Sequence, residues 1–166
     1  MKRSAKRRRS PFASTLTSVY SNELGLTYKK TIELDNPEFH KLNSSARVAG
    51  FLRQIWDNED LLVRESFYLL CFSSGLDLIG FFKIADGGID AVNVDRRLIF
   101  SAALLCRSVS IVVAHNHPSG TLKPSSADRV LTKLIDDAGE IMGIKLNDHI
   151  ILTEDNYYSF RDEGDL

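Results

Sequence analysis

The feature that most constrains the fold is an apolar, largely β-branched run at residues 109–114, VSIVVA. Apolar side chains fall on both faces of this run, so it predicts a central strand that is buried on both sides. Such a strand needs a layer of packed structure on each face of its sheet.

Three segments have the apolar spacing of amphipathic helices. The first follows an Asn-Ser-Ser cap at residues 43–45 and runs to Ile55, the second follows Asp95 and covers residues 96–107, and the third covers residues 125–142. Gly143 is the predicted stop of the third helix. The stripes that recur at helical spacing are, in chain order, Val48, Phe51, Leu52 and Ile55; Leu98, Ala102 and Leu105; and Leu131, Ile135, Ala138 and Met142.

Strand patterns alternate with these helices. Residues 67–72 and 76–84 read as two strands joined by Ser73-Ser74-Gly75, which is a hairpin signal, and Gly87-Gly88 reads as a turn. Residues 149–153 are predicted to be the last core strand. Interleaved helices and strands predict one layered α/β domain with a mixed sheet, which we expect to begin between residues 31 and 45 and to extend to residue 166.

Charge is distributed unevenly along the chain. The first ten residues, MKRSAKRRRS, hold six of the 21 basic residues and no acid, so residues 11–166 carry 15 basic and 22 acidic side chains. We expect residues 1–30 to form a disordered basic tail. The alternative is a weak, salt-sensitive and non-specific contact between residues 2–9 and the backbone of a nucleic acid, without readout of base sequence.

The compartment is predicted from what the sequence lacks. No apolar run is long enough to cross a bilayer, and no apolar segment follows the basic start as it would in a secretory signal. Cys71 and Cys106 lie in apolar surroundings and are expected to be free thiols in a reducing compartment. We therefore expect a cytoplasmic protein without a membrane partner.

Two histidines stand where the central strand ends. His115 and His117 are two residues apart, and side chains at that spacing point to the same face of a strand. Pro118-Ser119-Gly120 then turns the chain away, and it enters a helix whose first turn carries Asp128. Two imidazoles, one carboxylate and an open fourth position are the ligand set typical of a catalytic zinc ion, which activates water.

Each of these residues also has a purely structural interpretation. Ser125 and Asp128 fit the S-x-x-D capping box of a helix start. The two histidines could equally be core or surface side chains with ordinary hydrogen bonds. The combined pattern, H-x-H-x7-S-x2-D, favours the metal site, for which we predict one Zn²⁺ per chain with His115, His117 and Asp128 as ligands.

The same residues carry a resemblance to a known family. The string AHNHPSGTLKPSSAD at residues 114–128 resembles the JAMM signature of the JAB/MPN metallohydrolases, and more narrowly that of the RadC-like branch of bacterial and mobile-element proteins. The likeness extends over residues 43–166. It includes the segments Arg64–Phe67, Gly88–Phe100, Asp148-His149 and Tyr157–Phe160.

The resemblance implies a fold and a set of roles. The fold would be a three-layer α/β/α domain of the cytidine-deaminase-like type with a mixed sheet. A zinc ion held by two histidines and an aspartate would activate water, and a glutamate, which falls on Glu65, would act as the general base. The family serine falls on Ser125, where it would hold the water or stabilise the developing oxyanion.

The residues themselves leave some of these roles open. A glutamate that leads into a buried strand can aim its carboxylate into the sheet layer, but Glu65 could instead be an exposed partner of Arg64. Glu59 and Asp60 are expected in a polar turn. His149 is interpreted as a structural residue or as one that orients a neighbouring ligand.

Two features depart from the family pattern. Relatives commonly have V-x-P-R where this chain reads Val94-Asp95-Arg96-Arg97, so Arg96 replaces a proline and the role of that loop is in question. Full-length RadC proteins usually carry an N-terminal helix-hairpin-helix module, and we expect none within the residues that precede the domain in this sequence.

The sequence therefore predicts a zinc metallopeptidase or isopeptidase of the JAMM type, with an unknown protein or peptide substrate. One alternative is a DNA-associated repair or mobile-element protein in which the domain binds rather than cleaves. Another is a scaffold without activity, although the predicted ligands are all retained. A nucleobase deaminase needs H-x-E and P-C-x-x-C motifs, which this sequence lacks. An HNH nuclease spreads its residues over a longer unit than residues 115–117.

Overall fold

The computed structural model describes residues 41–88 and 93–166. Within them lie four helices and five strands. In chain order these are α1 (Ser45–Ile55), α2 (Asn58–Val63), β1 (Ser66–Phe72), β2 (Leu78–Asp86), α3 (Arg96–Leu105), β3 (Ser110–Asn116), α4 (Ser126–Met142), β4 (Lys145–Leu152) and β5 (Tyr157–Ser159). The basic tail predicted at residues 1–30, the nucleic-acid contact of residues 2–9 and the expected domain start at residues 31–40 lie outside this range.

The strands form a mixed sheet with the order β2-β1-β3-β4-β5. The pairs β1–β2, β1–β3 and β4–β5 are antiparallel, whereas β3–β4 is parallel. The central position of β3 explains why its residues are buried along its whole length. Because β1 runs antiparallel to β3, the beginning of β1 lies beside the end of β3, and Phe67 is the partner of His115.

Each face of the sheet is covered by its own apolar cluster. On one face Leu70, Val112 and Ile150 pack with α1 residues such as Phe51 and Leu52. On the other face α3 and α4 pack on the sheet, and the fully buried members there are Phe67, Leu69, Ile99, Ala103, Ile111, Val113 and Ile135. The predicted three-layer α/β/α architecture with a mixed sheet is confirmed.

Helix ends follow the predicted caps. Ser44 is the N-cap of α1 and Asp95 is the N-cap of α3. Gly143 ends α4 with left-handed backbone at φ 67°, and the N–H of Ile144 returns to the carbonyl of Gly139 at 2.8 Å. These contacts satisfy backbone groups that a helix end leaves without intrahelical partners.

The face of α3 that packs on the sheet differs from the prediction. Leu98 and Leu105 are exposed, at 49% and 59% of their surface, whereas Ile99 and Ala103 are fully buried. The helix is apolar around most of its circumference, so periodicity alone does not identify the packed face. The stripe predicted on α4 holds for Ile135, which is fully buried, but its last member, Met142, is exposed.

Several boundaries also differ from expectation. Glu59 and Asp60 lie in the first turn of α2 rather than in a polar turn. Gly87 does not begin a turn, because its N–H bonds to the carbonyl of Glu65 at 2.7 Å and continues the β1–β2 pairing. The strand predicted at residues 149–153 is part of β4, which begins earlier, at Lys145, and a short fifth strand, β5, follows it.

The C-terminal residues return to the start of α4. Phe160 is fully buried, and the hydroxyl of Tyr158 and the guanidinium of Arg129 both bond to Asp165. Among the helices of the described ranges, none combines the length and the apolar character needed to span a bilayer.

Candidate metal centre

Three side chains predicted as metal ligands converge at the end of β3. One nitrogen of His115, one of His117 and one carboxylate oxygen of Asp128 all lie within 4.8 Å of one another. The two Nε2 atoms are 3.0 Å apart, and the Nε2 atom of His115 lies 3.2 Å from Oδ1 of Asp128. Within residues 41–88 and 93–166 this is the one group of three such side chains that could hold a metal ion.

The strand geometry brings the two histidines together. His115 is the sixth residue of β3, and His117 follows the strand directly, with its N–H bonded to the carbonyl of Leu152 at 2.9 Å. This bond continues the β3–β4 ladder, so His117 keeps the face of His115. The chain then turns at Gly120, whose φ of 77° favours glycine and whose N–H returns to His117.

The cap and ligand interpretations of Asp128 are both compatible with its position. The capping box is present, with Ser125 as the N-cap of α4. Oδ2 of Asp128 lies 2.7 Å from both the nitrogen and the hydroxyl oxygen of Ser125. The other oxygen, Oδ1, faces His115. The cap therefore holds the carboxylate in an orientation that presents Oδ1 to His115, while the capping oxygen Oδ2 lies 3.7 Å from Nε2 of His117.

His117 is fixed by a main-chain contact. Its Nδ1 atom lies 2.6 Å from the carbonyl oxygen of Thr121. A carbonyl only accepts, so Nδ1 carries the proton and donates it. In the neutral ring, Nε2 is then the atom with a free lone pair, and it points to His115 and Asp128. This arrangement is the one that a metal ligand needs.

Contacts within the cluster lower the pKa of Asp128 and raise the pKa of His117. Burial alone would raise the pKa of Asp128, but its contacts with His115 and His117 outweigh that effect and hold the pKa well below its usual range. The hydrogen bond with Asp128 raises the pKa of His117 above its ordinary value, against the opposing effect of burial. A proton on Nε2 of His117 therefore competes with a metal ion for this atom.

The three side chains line a cavity of about 290 Å³, and the predicted catalytic residues line it too. Its walls are formed by Glu65, Phe67, Asn93, Val94, His115, His117, Ser125, Ala127, Asp128 and Leu131. The negative charge of Glu65 acts on His117, where it contributes to the raised pKa. The guanidinium of Arg64 makes two hydrogen bonds, of 2.9 and 2.8 Å, with Asp60. Arg64 is thus paired with Asp60, whereas Glu65 lies at the wall of the same cavity as the three ligand candidates.

A larger cleft of about 750 Å³ lies at the opposite end of the sheet. It is lined by residues near the beginnings of β3 and β4, such as Ser110 and Lys145, and by Arg161. The two histidines lie at the other ends of these strands. The smaller cavity is therefore the one that matters for chemistry at the predicted site.

Asn116 supports the site, although the sequence analysis did not single it out. Asn116 stands between His115 and His117 in the sequence, and its side chain is fully buried. The amide oxygen accepts the N–H of Ser66 at 2.7 Å, and the amide nitrogen donates to the carbonyls of Leu61 and Arg64 at 2.8 and 2.9 Å. These bonds tie the end of β3 to the residues that flank Glu65. The signal in the sequence that could have identified Asn116 was a polar residue within a strand that is buried along its length.

His149 lies directly behind His115, as one of the two interpretations of this residue predicts. Its Nε2 atom is 2.8 Å from Nδ1 of His115, and its Nδ1 atom is 2.6 Å from the hydroxyl of Thr132. Thr132 was not identified from the sequence, because its importance depends on a strand that pairs elsewhere in the fold.

Arg96 occupies an exposed position in the first turn of α3. The segment just before it, Asn93 and Val94, lines the cavity of the metal site. Arg96, at the position where the resemblance implies a proline, therefore follows closely on two residues that line the cavity, and nothing in the structure assigns it a contact that replaces the proline.

The donor set fits a divalent transition metal. Two imidazole nitrogens and one carboxylate oxygen, with space in the cavity for further ligands, match the pattern of catalytic zinc sites. The free lone pair on Nε2 of His117 supports the same conclusion, since it is already oriented by Thr121. The fold and the site together define an α/β protein with a candidate metal centre at a strand end.

Comparison with known proteins identifies the family. The RadC-like JAB domain matches residues 42–165, nearly the whole described part of the chain. The chain belongs to this RadC-like JAB family.

Curated relatives agree with this assignment. A UPF0758 protein of Flavobacterium johnsoniae is 44% identical over 103 residues, which are 62% of this chain and 45% of the relative. A UPF0758 protein of Thermotoga maritima is 36% identical over 126 residues, which are 76% of this chain and 55% of the relative. One of Porphyromonas gingivalis is 41% identical over 106 residues, 63% of this chain and 46% of the relative. The chain thus spans about half the length of these relatives.

Proposed function

We propose that the protein is a zinc-dependent hydrolase that cleaves an amide bond, peptide or isopeptide, in a protein or peptide substrate. The observation that carries this proposal is the convergence of His115, His117 and Asp128 at the wall of a cavity that Glu65 also lines. One zinc ion per chain is the expected cofactor. Two free thiols, at Cys71 and Cys106, favour a reducing compartment such as the cytoplasm.

The mechanism assigns each residue a task. A zinc ion at this site would polarise the substrate carbonyl and lower the pKa of water. Glu65 accepts the proton of the attacking water and later delivers it to the leaving amine. The three ligand residues would hold the zinc ion at the wall of the cavity that Glu65 also lines.

Ser125 has a more specific requirement. Its hydroxyl donates to Asp128 in this structure, and its own N–H bonds to the same oxygen of Asp128. Rotation of the hydroxyl proton would free it to donate to a substrate oxygen, while the N–H keeps Asp128 in place. Ser125 can therefore stabilise the developing oxyanion without loss of the helix cap.

Metal content is the first experiment. We expect about one zinc ion per purified chain, and little in His117→Ala or Asp128→Ala, since catalytic zinc commonly uses three protein ligands. Asp137→Ala is the matched control, because Asp137 is an exposed carboxylate on the same helix and binds Lys133. Absence of zinc from the wild-type protein, or full zinc content in both ligand variants, would contradict the proposal.

The base assignment is tested separately. Peptides and isopeptide-linked peptides are screened with the zinc-loaded protein, and Glu65→Gln is then compared with the wild type on any substrate that is cleaved. We expect Glu65→Gln to keep its zinc and to lose about 10²- to 10⁴-fold in rate. Glu59→Gln, a change at an exposed glutamate of α2, serves as the control. A Glu65→Gln variant with wild-type activity would show that another group is the base.

A second candidate function, binding to DNA without cleavage, has the basic tail as its only support. Deletion of residues 1–10 removes six basic residues and no acidic one. If the tail alone is responsible, the deletion abolishes DNA affinity, whereas the intact chain shows affinity that falls steeply with salt. DNA affinity that survives the deletion would instead indicate binding by the folded domain.

A further inference from the structure

We propose that His149 and Thr132 form a hydrogen-bonded support that holds His115 in the one tautomer able to bind a metal through Nε2. This inference rests on the proposed metal site and adds two positioning residues to it. Neither residue lines the cavity, so both would act through His115.

Three consecutive contacts connect His115 to Asp128 through two residues that do not line the cavity. Nδ1 of His115 lies 2.8 Å from Nε2 of His149. Nδ1 of His149 lies 2.6 Å from Oγ1 of Thr132. Oγ1 of Thr132 lies 2.7 Å from the main-chain carbonyl oxygen of Asp128. The series thus begins at the ring of one ligand and ends at the backbone of another.

The main-chain carbonyl of Asp128, at one end of this series, determines which atom donates the proton in each of the three contacts. A carbonyl has no proton, so the Thr132 hydroxyl must donate its single proton to Asp128. Thr132 can then only accept from His149, which places a proton on Nδ1 of His149. In a neutral ring the Nε2 atom of His149 is therefore bare and accepts the Nδ1 proton of His115. His115 is left with its Nε2 lone pair directed to the site.

The surroundings hold the ring of His149 in place. Its side chain is fully buried, and both of its ring nitrogens are used in the contacts with His115 and Thr132. Its ring stacks on Phe160 at a centroid distance of 4.7 Å and an angle of 11°, and meets Phe67 edge-on at 5.8 Å. A ring packed in this way cannot turn over, which would put carbon atoms where its two nitrogens lie, without displacement of both phenylalanines.

The support also couples the elements that supply the ligands. His115 lies on β3, His149 on β4, and Thr132 and Asp128 on α4. Groups of this kind orient metal ligands, and their loss typically lowers metal affinity by about 10- to 100-fold.

The first test needs no metal. Long-range ¹H–¹⁵N correlation spectra of the metal-free protein report the tautomer of each histidine. We expect His149 in the Nδ1–H form with a bare Nε2 atom, and a proton on Nδ1 of His115. A His149 ring in the Nε2–H form would overturn the proposal, whether or not the protein binds zinc.

The second test compares two substitutions at one position. Thr132→Val keeps the shape of the side chain and removes the hydroxyl, so nothing then selects the tautomer of His149. We expect this variant to show mixed tautomers at His149 and zinc affinity lowered by about 10- to 100-fold. Thr132→Ser keeps the hydroxyl and is expected to retain both the single tautomer and the wild-type affinity.

The outcomes separate this inference from the metal proposal itself. If the wild type fails to bind zinc but His149 has the expected tautomer, the proposed function is wrong and the hydrogen-bonded support remains. If the wild type binds zinc and Thr132→Val binds it equally well with an unchanged tautomer, the support is wrong and the metal site remains.

Discussion

Ser125 and Asp128 bind each other in both directions at the start of α4. Oδ2 of Asp128 lies 2.7 Å from the nitrogen of Ser125, and the N–H of Asp128 is bonded to the Ser125 hydroxyl at 3.1 Å. The second oxygen of Asp128 remains directed at His115, 3.2 Å from its Nε2 atom. One carboxylate therefore completes a helix cap and a group of potential metal donors at the same time.

The two roles of Asp128 can be separated by substitution. Asp128→Ala removes both, so we expect zinc binding to be lost and the free energy of unfolding in chelator to fall by about 0.5–2 kcal/mol. Ser125→Ala removes the cap acceptor and leaves the carboxylate, so we expect a similar loss of stability with zinc retained. Urea unfolding and metal analysis measure the two effects. Equal loss of zinc in both variants would mean that the cap itself is required for binding.

Zinc affinity is expected to depend on pH in one direction. The contact with Asp128 raises the pKa of His117 above its ordinary value of 6.5, so in the metal-free protein Nε2 becomes protonated at a higher pH than in a free histidine. Protons and zinc compete for this atom, and the affinity must fall as pH falls through the raised pKa. We expect a decrease of about tenfold per pH unit for each proton released, measured with a zinc indicator from pH 8 to pH 6. An affinity that is constant over this range would refute the competition.

Asn116 is predicted to be important for stability. Its amide makes three hydrogen bonds to the main chain of Leu61, Arg64 and Ser66, all at a fully buried position. Asn116→Ala leaves these groups without their partner, and we expect the free energy of unfolding to fall by about 2–4 kcal/mol. Asn156→Ala, at an exposed position, should change it by less than about 0.5 kcal/mol. Equal effects of the two substitutions in urea unfolding would be inconsistent with the role assigned to Asn116.

Gly139 is predicted to resist substitution even though it lies inside a helix. A methyl group on its Cα atom would lie 2.4 Å from the carbonyl oxygen of Ile144. Helix propensity favours alanine over glycine by about 1 kcal/mol, but a clash with main chain is expected to outweigh this gain, with a net loss of about 1–3 kcal/mol. Gly80→Ala is the control, since no atom lies within 4 Å of the added carbon. A stabilised Gly139→Ala variant would show that α4 can shift away from Ile144.

The sequence was sufficient to predict the parts of the site that depend on local geometry. His115 and His117 lie on one face because of the two-residue period of a strand. Asp128 lies in the first turn of a helix whose start is predicted by its capping box. The mixed sheet was predicted from the interleaving of helices and strands, whereas the three-layer arrangement was implied by the family resemblance. The positions of His115, His117 and Asp128 are set by residues close together in the chain.

Other features depend on partners that are distant in the sequence. The packed face of α3 was not predictable, because Leu98, Ile99, Phe100 and Leu105 make most of the helix apolar and only the sheet selects Ile99. The strand β5 has three residues, too few for an alternating pattern to be recognised. Thr132 reaches its role only when β4 places His149 beside it, 17 positions further along the chain.

The return of the C-terminal residues to α4 has a practical consequence. Asp165 bonds to Arg129, the residue that follows Asp128, so a peptide attached after Leu166 would emerge near the first turn of this helix. A polyhistidine affinity tag at that end could reach the cavity and supply imidazoles of its own. Zinc stoichiometry should therefore be measured on protein from which such a tag has been cleaved.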